Sequence, residues 1–169
     1  MRIDLQGRAR LLGDDVSTDA IILSSRKKES LDPDVLKHYL LETVHPGFAS
    51  SVGNGDVLVA GKNFGCGSAM EVAVTVVLAA GIKAVLARSF ARTYYRNAVN
   101  NGLIPVECDT SGVFEGDALR VVLDEAGVRV AYGTRGNQIA GKSLPGIMLD
   151  ILNSGGLAPY FRAHQDFHG

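Results

Sequence analysis

The chain has 169 residues and a net charge of −1, long enough for one domain with a proper core and too nearly neutral to draw nucleic acid or an anionic membrane by charge. Its 46% hydrophobic and 21% charged residues fit a soluble globular protein, and no apolar run reaches the length of a membrane span. The two cysteines, Cys66 and Cys108, are too few for a disulfide framework or to hold an iron–sulfur cluster alone, and the N-terminal residues lack a signal peptide's apolar stretch, so the expected location is the cytoplasm.

Residues 7–12 read as a short strand, followed by the acidic, hydroxyl-rich turn Gly13-Asp14-Asp15-Val16-Ser17-Thr18-Asp19. After apolar Ala20-Ile21-Ile22-Leu23 comes a polar loop, Ser24-Ser25-Arg26-Lys27-Lys28-Glu29-Ser30. Asp32-Pro33 opens a helix with an N-cap side chain and proline at the first helical position. Val35, Leu36, Tyr39 and Leu40 follow at helical spacing, and His45-Pro46-Gly47 stops the run. The central block alternates: a buried strand over residues 57–60, a helix over 71–80 ended by Gly81, a strand over 84–87, a helix over 90–100 closed by Asn101-Gly102, and a short strand over 103–106. Continuous apolar strands between helices predict a parallel sheet covered on both faces. Residues 118–123 and 128–132 predict a hairpin across Asp124-Glu125-Ala126-Gly127, and residues 145–153 a last helix capped by Gly155-Gly156. No repeat and no linker divides the chain, so residues 1–169 are expected to form a single domain.

The densest signal is Gly61-Lys62-Asn63-Phe64-Gly65-Cys66-Gly67-Ser68, between a strand and a helix, where backbone amides can meet an anion. Ser68 is a proton-handling hydroxyl or substrate ligand, or an ordinary N-cap. Cys66 is a reactive thiol, or a small residue suited to a tight turn. Thr18 and Asp19 hold a ligand or brace the Ser68 loop, or shape only their own turn. Arg26, Lys27 and Lys28 form a carboxylate binder or a solvated patch. Arg92 and Arg96 share one helix face and serve an anion or a partner chain, or form the basic outside of a core helix whose more buried face carries Phe90, Tyr94 and Asn97. His38, His45, His164 and His168 show no metal-ligand spacing, and no metal site is expected on this chain.

Together these segments resemble one family. The run from Gly13 to Ile22 is similar to the opening of the small subunit of isopropylmalate isomerase (3-isopropylmalate dehydratase) and its homoaconitase relatives. The glycine-rich loop, Ala87-Arg88-Ser89-Phe90-Ala91-Arg92 with Asn97, Asn100-Asn101-Gly102-Leu103 and Pro105, and Gly155-Gly156-Leu157 with Tyr160 match the family's other signatures in order, over nearly the whole chain. The resemblance implies an α/β fold, the aconitase-type swivelling β/β/α domain with a mixed sheet core and flanking helices. It implies a separate large subunit carrying a [4Fe-4S] cluster on its own cysteines, with one iron acting as a Lewis acid. It makes Ser68 the serine that moves the proton beside a carboxylate, with Thr18, Asp19, Gly67 and Ala69 around the substrate. It implies a hydro-lyase acting on a hydroxy di- or tricarboxylate through a cis-alkene acid, with leucine biosynthesis as the expected pathway. No nucleic acid is expected as a partner, and a homo-oligomer in isolation is open.

Two departures bear on the substrate. The family loop continues with a second serine and an arginine that grips a carboxylate; here Ala69 and Met70 stand in those places. Methionine makes no charge-assisted bond, so Arg26, Lys27, Lys28 and Arg92 are the candidate replacements. The segment after Ile22, which in the family reads the substrate's distal group, carries three cations and points to Arg26 and Lys28 as binders of an extra negative group. A dehydratase for dimethylmalate, a methylmalate-type or a homocitrate-type acid is the close alternative, and a non-catalytic binding subunit the rival from another class.

Overall fold

The computed structural model describes residues 2–165, so His168 lies outside the described residues. Strand β1 (Ile3–Leu11) leads to helix α1 (Thr18–Ile21), a 3-10 turn at Ser24–Lys28, and helices α2 (Pro33–Leu36) and α3 (Phe48–Ser51). Then come β2 (Val57–Ala60), α4 (Val72–Ala79), β3 (Ala84–Ala87), α5 (Arg92–Asn101) and β4 (Ile104–Glu107). The strands β5 (Ala118–Asp124), β6 (Gly127–Tyr132) and β7 (Asn137–Gly141) precede α6 (Gly146–Asn153) and α7 (Leu157–Gln165).

The strands form one mixed sheet in the order β4-β3-β2-β1-β5-β6-β7. The β1–β2, β2–β3 and β3–β4 pairs are parallel and the β1–β5, β5–β6 and β6–β7 pairs antiparallel. The long first strand serves both halves: residues 3–8 pair with β5, and Ala9, Arg10 and Leu11 pair with β2. The parallel strands are covered on both faces, and successive side chains point to opposite sides. Leu58, Ala60, Val85 and Ala87 pack with α4 residues such as Ala73, Val76 and Val77. Val57, Val59, Ala84 and Leu86 pack with Val121, Val130 and the α6 residues Leu149 and Leu152. This is the two-sided α/β arrangement predicted from the continuous apolar runs. Among the described residues no helix is long and apolar enough to cross a membrane.

Several expectations need correction. The first strand begins at Ile3 rather than residue 7, because Ile3, Leu5 and Gly7 alternate with Asp4, Gln6 and Arg8 and the whole run finds β5 as a partner. The helix expected over 71–80 starts at Val72, with Glu71 at the cap position and no side-chain cap. Ser68 therefore lies ahead of the helix and is not its N-cap. The helix expected over 90–100 starts at Arg92, because Phe90 is extended and bridges to Phe64. Asp32 caps α2 as expected, accepting from the N–H of Asp34 at 2.9 Å. The α-helical run stops at Leu36 and continues as a 3-10 turn to Tyr39. Strand β7 and helices α1, α3 and α7 had no expected counterpart.

Candidate active site

The carboxyl ends of β1, β2 and β3 open into three loops that backbone hydrogen bonds lace together. The Gly65 N–H donates to the Val16 carbonyl at 2.8 Å and the Thr18 N–H to the Cys66 carbonyl at 2.8 Å, so Ser17 and Cys66 form a parallel bridge. On the other side Phe64 N–H donates to Ser89 O at 3.0 Å and Ala91 N–H to Phe64 O at 2.9 Å. The glycine-rich loop thus lies between residues 16–18 and 89–91 as a short extra strand.

Gly65 is required there for two reasons. Its φ of +80° belongs to the left-handed region, and an added Cβ would come within 2.2 Å of the Tyr94 ring. Phe64 packs edge-on against Phe90 and Tyr94, with centroids 6.0 and 5.2 Å away. The buried Tyr94 hydroxyl donates to the Ala73 carbonyl at 2.9 Å, tying α5 to α4. Burial pushes its pKa far up, so it remains a neutral donor.

This frame presents Ser68 to solvent. Thr18 is buried, and its Oγ1 donates to the Ser68 carbonyl at 2.8 Å, fixing the direction of the chain at that point. The N–H groups of Ser68, Ala69 and Met70 find no acceptor among the described residues, and neither does the Ser68 hydroxyl. Three consecutive unpaired amides, one turn ahead of α4, make a cradle for negative charge beside a hydroxyl. A small cavity of about 70 Å³ adjoins them, and Thr18, Gly67, Ser68, Ala69, Met70 and Arg92 are among its lining.

The other expected binders sit differently. Asp19 Oδ1 accepts from Ser24 through its Oγ at 2.7 Å and its N–H at 2.8 Å. Those bonds hold the Asp19 carboxyl below the usual carboxylate range. Ser24 in turn touches the Met70 sulfur at 3.7 Å, so Asp19 braces the cavity wall from behind. Arg26 does not line the cavity. Its guanidinium makes a two-pronged bond to Glu42, both N–O distances 3.0 Å, a third bond to Glu29 at 3.0 Å, and lies 3.9 Å from the Tyr39 ring centre. That charge is already neutralised within the chain. Lys28 is exposed, makes no ion pair among the described residues and does not line the cavity. Met70 is buried, as its apolar side chain dictates.

Cys66 is half-buried in the bridge with Ser17, and Cys108 is buried. Burial, with Asp109 beside it, pushes the Cys108 thiol up to about 11, which makes it unreactive near neutral pH. No group of three or more His, Cys, Asp or Glu among the described residues could hold a metal ion. The sequence reading missed the parts of Thr93, Tyr94 and Asn97 in the cavity lining. The available signal was Gly65, whose missing side chain leaves room for a ring.

Comparison with known proteins identifies the family and the fold. Residues 49–111 match the aconitase C-terminal domain. The methanogen homoaconitase small subunit of Methanocaldococcus jannaschii is 40% identical over 161 residues, covering 95% of this chain and 93% of that protein. The 3-isopropylmalate dehydratase small subunit of Oleidesulfovibrio alaskensis is 44% identical over 158 residues, covering 92% and 93%. The isopropylmalate/citramalate isomerase small subunit of M. jannaschii is 42% identical over 164 residues, covering 96% of each. A crystal structure of 3-isopropylmalate dehydratase from M. jannaschii superimposes with a TM-score of 0.90 at 39% identity, covering 98% of this chain and 97% of that one. The mixed sheet with its interlocked loops is thus the aconitase-type fold, and the chain belongs to the aconitase-related family of isopropylmalate dehydratase and homoaconitase small subunits.

Proposed function

We propose that this chain is the small subunit of a [4Fe-4S]-dependent hydro-lyase that isomerises a hydroxy di- or tricarboxylate, 3-isopropylmalate in leucine biosynthesis being the leading substrate. The observation that carries this reading is the exposed Ser68 hydroxyl beside three unpaired amides at the carboxyl edge of the parallel strands. The names of relatives matching nine-tenths or more of the chain support the reaction class. On this reading the chain acts as one domain closing over a large subunit. Its own residues do not suit a cluster, with Cys108 buried and no metal-ligating group of three among the described residues, and this reading assigns the cluster to that partner. Held by the partner, a cluster would supply Lewis-acid chemistry for loss of the hydroxyl.

Ser68 is the proton-handling group. A serine hydroxyl is a poor base unaided, so its alkoxide needs strong stabilisation. The free N–H groups of Ser68, Ala69 and Met70, with the positive end of α4 behind them, are placed to supply it. The alkoxide takes the proton from the carbon next to a carboxylate, the hydroxyl leaves from the neighbouring carbon, and a cis-alkene acid results. Return of the proton and the hydroxyl to the opposite carbons of the alkene completes an isomerisation. Thr18 keeps the loop in register, Asp19 keeps Ser24 against Met70, and Gly67 and Ala69 leave the substrate room.

The test is anaerobic co-expression with an aconitase-like large subunit, followed by the ultraviolet absorbance of the alkene product against a panel of hydroxy acids. Turnover of isopropylmalate is the expected result. Turnover only of a homocitrate-type, dimethylmalate or methylmalate-type acid would reassign the substrate, and the similarity to the M. jannaschii homoaconitase small subunit keeps that second reading in view. A stable, cluster-bearing complex that dehydrates none of them would make the chain a non-catalytic binding subunit.

A further inference from the structure

Arg92 is one of several cations without a partner among the described residues, and it is distinguished by lining the cavity beside Ser68. Arg26, Arg120 and Arg129 each face a carboxylate of the same chain. Arg92 is exposed and has no hydrogen bond or ion pair among the described residues. It also stands at the wrong end of its helix. As the first residue of α5, a helix with no acidic side chain in its first turn, it puts a cation at the positive end of the dipole. Arg96 follows one turn later on the same face and repels it. A local arrangement that costs stability without a compensating contact marks a site retained for another purpose.

The surroundings indicate the purpose. Among the described residues Arg92 is the one cation in the lining of the cavity beside Ser68, whose polar residues are otherwise neutral: Thr18, Ser68, Thr93, Tyr94 and Asn97. It also lines a larger cleft of about 640 Å³, whose charged residues are Arg92, Arg96, Glu107 and Lys142. A di- or tricarboxylate with its reacting carbon at Ser68 has a second carboxylate to place, and a guanidinium suits it through a two-pronged, charge-assisted bond. We propose that Arg92 binds a carboxylate of the substrate at the Ser68 cavity. This rests on the hydro-lyase reading above.

The experiment compares the assembled complex carrying wild-type chain, Arg92→Gln, and Met70→Arg/Arg92→Gln. Losing one charge-assisted contact made in both ground and transition states raises KM by about tenfold to a hundredfold with a much smaller change in kcat. Because Met70 lines the same cavity, an arginine there recovers at least part of the lost KM. Arg96→Gln, whose side chain lines only the larger cleft, leaves KM within about threefold. Calorimetric binding of the non-reacting tricarboxylate tricarballylate gives a readout independent of turnover: the affinity falls in Arg92→Gln by the same factor as KM rises. A wild-type complex that dehydrates no acid would remove the hydro-lyase reading while leaving the tricarballylate result to decide on Arg92. Equal KM and equal tricarballylate affinity for wild type and Arg92→Gln would overturn the proposal. So would weakened subunit association with unchanged KM, which would assign Arg92 to the subunit interface.

Discussion

Strand β1 pairs with β5 through residues 3–8 and with β2 through Ala9, Arg10 and Leu11, and the two halves of the sheet it joins treat their polar groups in opposite ways. In the antiparallel half they close on themselves. Asp4 pairs with Arg120 at 2.7 Å across β1 and β5, Arg129 reaches Asp124 at 2.6 Å, and Asp124 also accepts from the Ala126 N–H at 2.9 Å to seal the hairpin turn. In the parallel half the three loops at the carboxyl edge bind each other through backbone groups. They leave the Ser68 hydroxyl, the amides of Ser68, Ala69 and Met70, and the Arg92 guanidinium without partners among the described residues. Parallel strands end at a common edge, so their loops converge and ligand groups gather there. An antiparallel hairpin returns directly and needs no such edge. On the proposed reading, these unsatisfied polar groups mark the working side of the sheet.

The largest stability effect should come from the loop that holds these groups in place. Gly65→Ala puts a Cβ against the Tyr94 ring at a left-handed φ and should cost about 3 kcal/mol in urea unfolding. A cost below about 0.5 kcal/mol would mean that the loop is not clamped by Tyr94.

Next comes the seam between the halves. Asp56, just ahead of β2, accepts from Arg8 at 2.9 Å, from the buried Arg10 at 3.3 Å and from the Gly53 N–H at 2.8 Å. Arg10 also holds Glu115 at 2.9 Å, so it reaches toward both halves. Asp56→Asn leaves Arg10 buried with half its charge compensation, and a loss of roughly 2–3 kcal/mol should follow. Burial alone would raise the Asp56 pKa, but the bonds from Arg8, Gly53 and Arg10 outweigh it and the net shift is downward from 3.8. A carboxyl depressed in the folded state adds stability that is fully present above the unfolded value and is lost as pH falls through the folded one. Wild type should thus lose stability as pH drops below 3.8, with a flatter profile for Asp56→Asn; parallel profiles would remove Asp56 from the account.

The smallest effect belongs to the antiparallel surface. The Arg120 guanidinium, with a smaller contribution from Arg2, holds the Asp4 carboxyl down at about 2 against the opposing effect of desolvation, but the pair is open to solvent. Asp4→Asn should leave the urea midpoint nearly unchanged near neutral pH. A shift as large as that of Asp56→Asn would erase the contrast between an exposed pair and the buried seam.

The same contrast shows what could be read from the chain before its structure. Strands β2 and β3 were plain from their unbroken apolar runs, α2 from Asp32-Pro33, and the hairpin from Asp124-Glu125-Ala126-Gly127, because each depends on neighbours in sequence. The first half of β1 and the whole of β7 were not, since residues 3–6 and 137–141 are held by cross-strand partners that local propensity does not register. The glycine-rich loop drew attention by composition, and the structure puts Thr18, Gly67, Ser68 and Ala69 together in one cavity. The state of each cation was out of reach. Arg26 looked available until Glu42, sixteen residues away, proved to hold it, whereas Arg92 was set at the cavity by the bridge between Phe64 and Phe90.

The central claim is that the hydroxyl at position 68 moves the proton. Its most direct measurement is the turnover of the reconstituted complex carrying Ser68→Ala, with complex formation and cluster absorbance followed in the same sample. A loss of a hundredfold or more, on the order expected for removal of a positioned acid–base group, with the complex intact is the predicted result. Turnover within about twofold of wild type would contradict it, because an alanine methyl cannot carry a proton.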